Sequence, residues 1–221
     1  MPPDGSRRSL RTVDSIMATP LSPRRARVQR STAETSVTVE IDLDPSRDGN
    51  GASYDNATGV GFLDHMLDLF ARHGGLRLQV EADGDLHVDD HHTVEDVGIV
   101  LGQALGEALG DKAFVARYGH AYVPMDEALA RAVVDLSGRS ALVFDGDFRR
   151  DTVGDLSTEL VRHFWWSVAE HARMTLHISI IYGDNDHHKI ESVFKAVGRA
   201  LRMAVARDVS GDRMPSTKEA L

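Results

Sequence analysis

Two short stretches constrain this chain more than anything else in its 221 residues. DDHHTVEDVG spans residues 89–98, NDHHKIESVF spans 185–194, and both carry the spacing His-His-x-x-Glu. A chain that uses one polar cluster twice is most economically built from two copies of one unit.

The flanking patterns repeat as well. In ETSVTVEIDLD, Val37, Val39, Ile41 and Leu43 alternate with polar residues, the period of a half-buried strand. A turn-rich loop, RDGNGASYDNATG, leads to FLDHMLDLFARHGG, which reads as a helix closed by Gly74 and Gly75. LRLQVEA is another strand, and the first His-His pair opens a helix with Val94, Val97, Leu101, Ala104, Leu105 and Ala108 at helical spacing. The second half runs in the same order. Strand-like ARAVVDLSG and SALVFDG precede a helix around TELVRHFWWSVAEHA, then the strand TLHISIIYG and the second His-His helix. His65 and His163 hold similar places in the earlier helix of each half. The expected architecture is α+β in two duplicated halves, with repeat one at about 33–119, repeat two at about 120–208 and a tail over 209–221. Residues 31–221 form one domain on this reading.

Residues three or four apart share a helix face, whereas neighbours point about 100° apart. His91 and Glu95 can therefore grip one ion while His92 turns toward another, and His187, Glu191 and His188 repeat the arrangement. Imidazole and carboxylate suit borderline divalent metals. With His65 and His163 there are eight ligands, enough for two sites of four. The spacing predicts His91, Glu95, His163 and His187 at one ion and His65, His92, His188 and Glu191 at the other. A lone histidine is more often a satisfied core residue than a ligand, and His73, His87, His120, His171 and His177 are read that way. The aspartates before each pair, Asp89, Asp90, Asp184 and Asp186, either cap the helices or orient the imidazoles.

Charge narrows the partners. The first thirty residues hold seven arginines against two aspartates, so the acidity behind the net charge of −9 lies in the remainder. That basic stretch, without sustained periodicity, is expected to be a flexible arm over residues 1–30. An acidic body is a poor match for nucleic acid and a good one for cations. No apolar run approaches the ~18–20 residues of a membrane span, and the absence of cysteine fits a cytoplasmic protein. Arg117, Arg139, Lys195 and the tail residues Ser216, Thr217 and Lys218 are the candidates for holding an anion, and such a set suits a phosphate.

Together, GFLDHML, DDHHTVEDVG, DEALARAVVDLSGR, HHKIESVFKAVGRAL and PSTK resemble the imidazoleglycerol-phosphate dehydratase family from about Arg30 to Leu221. Only the tail departs, with Glu219 where the family usually has glycine after PSTK. The resemblance implies two four-stranded mixed sheets packed around a helical layer and a homo-oligomer of 24 subunits with metal sites between them. It also implies two manganese ions per active site. The implied reaction removes water from a phosphorylated imidazole substrate, imidazole glycerol phosphate, to give imidazole acetol phosphate. A carboxylate must shuttle the proton, and Glu191 and Glu34 are the candidates. The rival readings are a di-metal hydrolase acting on a small phosphorylated substrate and a non-enzymatic metal-binding protein. The first would use similar ligands but needs no imidazole-sized pocket; the second has no use for Arg117, Arg139 and the Ser-Thr-Lys tail converging on an anion.

Overall fold

The computed structural model describes residues 23–45 and 51–208. Among these, the first half contains β1 (Arg25–Ser31), β2 (Thr35–Asp42), β3 (Ser53–Ala57), α1 (Gly61–Gly74), β4 (Arg77–Gly84) and α2 (His91–Leu109). The second contains β5 (Tyr118–Met125), β6 (Ala128–Asp135), β7 (Ala141–Asp145), a hairpin of β8 (Thr152–Val153) and β9 (Leu156–Ser157), α3 (Glu159–His171), β10 (Thr175–Tyr182) and α4 (Asp186–Ala204). Two four-stranded sheets result, ordered β1-β2-β4-β3 and β5-β6-β10-β7. In each, the first three strands pair antiparallel and the last joins in parallel. The α+β architecture of duplicated halves is therefore what the sequence implied.

Alternation decides the faces. Val37, Val39 and Ile41 of β2 are buried, as are Ala130, Ala132 and Val134 of β6. Each sheet turns this apolar side inward onto helices. In the first half α2 lies on β1 and β2 while α1 covers β3; in the second α4 lies on β5 and β6 while α3 covers β7. The helices then exchange partners between halves, α1 packing on α4 and α2 on α3. Phe70 of α1, Phe164 and Trp165 of α3 and Phe194 of α4 fill this junction, with ring centroids 4.8–5.7 Å apart. No helix among the described residues is long and apolar enough to cross a membrane.

Several expectations need correction. Residues 25–30, assigned to the flexible arm, belong with Ser31 to β1, which pairs with β2 along its whole length. Ala26 and Val28 pack against the core, and Arg24 is buried against Asp44. Only two small apolar residues among arginines hid this strand. The first repeat accordingly begins at β1, ahead of residue 33, while the second begins with β5 at Tyr118, close to the expected 120. β3 lies inside the stretch read as a loop, and β5 escaped notice because its inward residues are Gly119, Ala121 and Val123. Residues 1–22 and the tail 209–221 lie outside the described residues. The helix stop at the paired glycines holds: α1 ends at Gly74, and Gly75 takes the left-handed conformation at φ 67°.

Candidate metal centre

Because the helices exchange partners, each His-His helix meets the earlier helix of the other half. On α4, His187 and Glu191 stand one turn apart, with His187 Nε2 2.9 Å from Glu191 Oε1. From α1, His65 Nε2 reaches the same oxygen at 3.3 Å. The other triad mirrors it: His163 Nε2 of α3 lies 3.0 Å from Glu95 Oε1, and His91 Nε2 lies 3.9 Å from Glu95 Oε2. In each triad the two imidazole nitrogens and one carboxylate oxygen all fall within 4.8 Å of one another. Two neutral nitrogens and one anionic oxygen converging at that range fit a borderline divalent cation with coordination positions left over.

The grouping differs from the expected one. Within one chain His187 joins His65 and Glu191, not His91, Glu95 and His163, since it shares a helix face with Glu191. His92 and His188 belong to neither triad; each ring stands nearly perpendicular to its neighbour, at 84° and 88°. Each instead engages a carboxylate through Nδ1. His92 lies 3.1 and 3.2 Å from the two Asp85 oxygens, and His188 lies 2.7 Å from Glu127 Oε2. Those hydrogen bonds, with help from Glu34 and Asp126 nearby, raise both histidine pKa values. A carboxylate at Nδ1 fixes the tautomer and leaves the Nε2 lone pair to coordinate.

Sequence reasoning missed Asp85 and Glu127. They lie in turns after β4 and β5, with no helical spacing to the histidines they hold. The aspartates it did consider act otherwise. Asp89 accepts the His91 backbone N–H at 2.9 Å, and Asn185 does the same for His187. Asp90 and Asp186 bind the segment before α3, and Asp184 pairs with Arg149.

Of the two candidate bases, Glu191 is buried. Burial disfavours its charge, but hydrogen bonds from Lys195, His187 and His65 outweigh that and hold its pKa down at about 2. The Glu34 side chain is 56% exposed and lies 3.8 Å from His92. Among the candidate anion-binding groups, Lys195 contacts Glu191 one turn earlier, and Arg117 bonds Asp135 at 2.8 Å with its guanidinium 4.7 Å over the Tyr118 ring. Arg139 is exposed in the turn after β6, where its backbone N–H meets Ser137 Oγ at 3.3 Å. Ser216, Thr217 and Lys218 lie outside the described residues.

Comparison with known proteins points to one family. The family model for imidazoleglycerol-phosphate dehydratase matches residues 58–201. The imidazoleglycerol-phosphate dehydratase of Salinibacter ruber is 63% identical over 93% of this chain and 100% of its own length, and that of Hydrogenovibrio crunogenus is 55% identical over 90% and 100%. The crystal structure of the Staphylococcus aureus imidazoleglycerol-phosphate dehydratase superposes with a TM-score of 0.73 at 45% identity, covering 83% of this chain and 99% of that one. The Pyrococcus furiosus enzyme gives 0.74 at 37% identity, with 88% and 100% covered.

Proposed function

The chain belongs to the imidazoleglycerol-phosphate dehydratase family, and we propose that its two triads hold the two divalent ions of one active site, manganese in each. It is a lyase of histidine biosynthesis, dehydrating imidazole glycerol phosphate to imidazole acetol phosphate. The observation that carries the metal assignment is the pair of matched His, His, Glu triads on exchanged helices.

Three ligands from each triad leave one of the expected four to be found. His92 and His188, turned away and held by Asp85 and Glu127, supply it to neighbouring subunits in a 24-subunit shell. The active sites then lie between subunits of a cytoplasmic homo-oligomer. Bound there, the ions act as Lewis acids toward the substrate ring and as a template for it.

The chain's own residues do the rest. In the reaction the C–O bond on the carbon attached to the ring breaks, a proton leaves the next carbon, and the resulting enol becomes the ketone. Glu191, held ionised by a lysine and two histidines, suits a ligand and has little basicity to offer. Glu34, more exposed and beside His92, is the better proton carrier. Arg117, Arg139, Lys195 and the Ser216-Thr217-Lys218 tail grip the phosphate and place the ring. Incubating manganese-loaded protein with imidazole glycerol phosphate and following the ketone tests this reading. Metal uptake without ketone formation overturns it.

A further inference from the structure

The two halves match in element order except at one place. Between β3 and α1 the chain needs only Thr58, Gly59 and Val60, whereas between β7 and α3 it runs from 146 to 158 and folds back as the β8–β9 hairpin. Strands two residues long cannot sustain a hairpin alone, and beyond the bonds of Thr158 to the Arg150 and Asp151 carbonyls several of the insert's polar groups reach the helices. Asp155, between the two short strands, accepts the Gly61 and Phe62 backbone N–H groups at 2.7 and 2.9 Å, one on each oxygen. Those are the first N–H groups of α1, whose own N-cap residue, Val60, offers no side-chain bond. Ser157 donates its N–H and its hydroxyl to Asp90, the N-cap of α2, at 2.6 and 2.8 Å. The backbone N–H groups of Arg149 and Arg150 both donate to Asp186 of α4 at 2.8 Å. Thr158 leads directly into α3. One insert thus touches the start of every helix that carries a triad ligand.

We propose that residues 147–158 form a strap that sets the relative placement of the two triads, with Asp155 as the positioning residue for His65. His65 stands one turn beyond Gly61, so the angle at which α1 begins decides how His65 Nε2 meets Glu191. A carboxylate there also opposes the positive end of the helix dipole. Burial disfavours the Asp155 charge, yet the two backbone bonds outweigh it and keep its pKa below the ordinary range. The inference rests on the metal reading of the triads.

Its test uses the full chain, stripped of metal and titrated with manganese while free ion is read by electron paramagnetic resonance; melting and turnover are measured alongside. Wild-type protein that binds no manganese sinks the metal reading itself, before any variant is compared. Given two bound ions in the wild type, Asp155→Ala should weaken one of them about tenfold, the scale of losing an outer-shell support, and leave the other unchanged. Asp155→Asn, which keeps one acceptor oxygen, should fall between. If both ions weaken together in proportion to the loss of melting temperature, or neither weakens, the strap is structural packing and the proposal is wrong. Should Asp155→Ala fail to fold, Asp155→Asn and Asp155→Ser decide by the same criterion.

Discussion

His91, Glu95 and His163 in one triad answer to His187, Glu191 and His65 in the other, and the helix crossing behind each triad is matched as well. A Cβ on Gly102 of α2 would meet the Val168 carbonyl of α3 at 2.7 Å, and one on Gly198 of α4 would meet the Phe70 carbonyl of α1 at 2.7 Å. The same close approach of backbones, made twice, lets an imidazole on one helix reach a carboxylate on another. The differences are as instructive. Glu191 is bonded to Lys195, whereas the corresponding position one turn past Glu95 is Ile99. Duplication therefore supplied two candidate metal triads, and only the second carries a lysine one turn past its glutamate. Neither half holds a complete triad by itself.

The largest effect should come from breaking the triads one at a time. His65→Ala and His163→Ala remove equivalent ligands, and each should lower turnover by several kcal/mol of barrier, on the order of a thousandfold or more. Bound manganese should drop from two ions to one. Elemental analysis together with steady-state rates checks this; full activity in either variant would show that the triads are not equivalent.

A second contrast lies at the edge strands. Arg24, before β1, is buried and shares Asp44 with Arg207 at 2.7 Å from each, while Arg117, before β5, bonds Asp135. Burial disfavours the Asp44 charge, but the two guanidinium partners win and lower its pKa strongly. A depressed carboxylate stabilises the fold above its unfolded value of 3.8 and loses that stabilisation as pH falls toward the folded value. Asp44→Asn should cost about 3 kcal/mol at neutral pH by leaving buried arginines uncompensated. The variant should also show a shallower fall in stability below pH ~4 than wild type in urea melts.

Gly119 sharpens the same comparison. Its counterpart in β1 is Ala26, yet a Cβ on Gly119 would sit 1.9 Å from the Ala200 carbonyl of α4. Gly119→Ala should therefore destabilise by about 3 kcal/mol, whereas Ala26→Gly should cost only about 1 kcal/mol. Equal costs in thermal unfolding would mean that the two helices sit at the same height over their sheets.

What is legible in the sequence depends on where each signal lives. β2, α1, α2 and α4 were legible because their apolar residues recur at the period of the element. Duplication gave the eight candidate ligands, six of which the structure gathers into triads, and the match between His65 and His163 gave their helices. What local pattern could not supply was the exchange of helix partners, which is decided by Phe70, Trp165 and Phe194 packing at the junction. That exchange puts His187 with His65. Asp85, Glu127 and Asp155 were invisible for a related reason: each acts on a helix from a turn distant in sequence.

A last contrast separates a cation held by the fold from one turned toward solvent. Arg24 is buried in the first half, and Arg139 is exposed in the second, its turn fixed by backbone bonds to Ser137. Arg139→Ala should leave melting temperature and manganese content unchanged and cost about 2 kcal/mol in kcat/KM, the scale of one charge-assisted hydrogen bond. The reacting carbons lie several bonds from the phosphate, so the loss reflects placement of the ring and no change in chemistry. Imidazole glycerol, which lacks the phosphate, makes the decision. Wild-type enzyme should turn it over poorly, and Arg139→Ala should be scarcely worse with it. An equal loss on both substrates would make Arg139 a structural residue, and the second half would then owe its anion grip to Lys195 and Arg117.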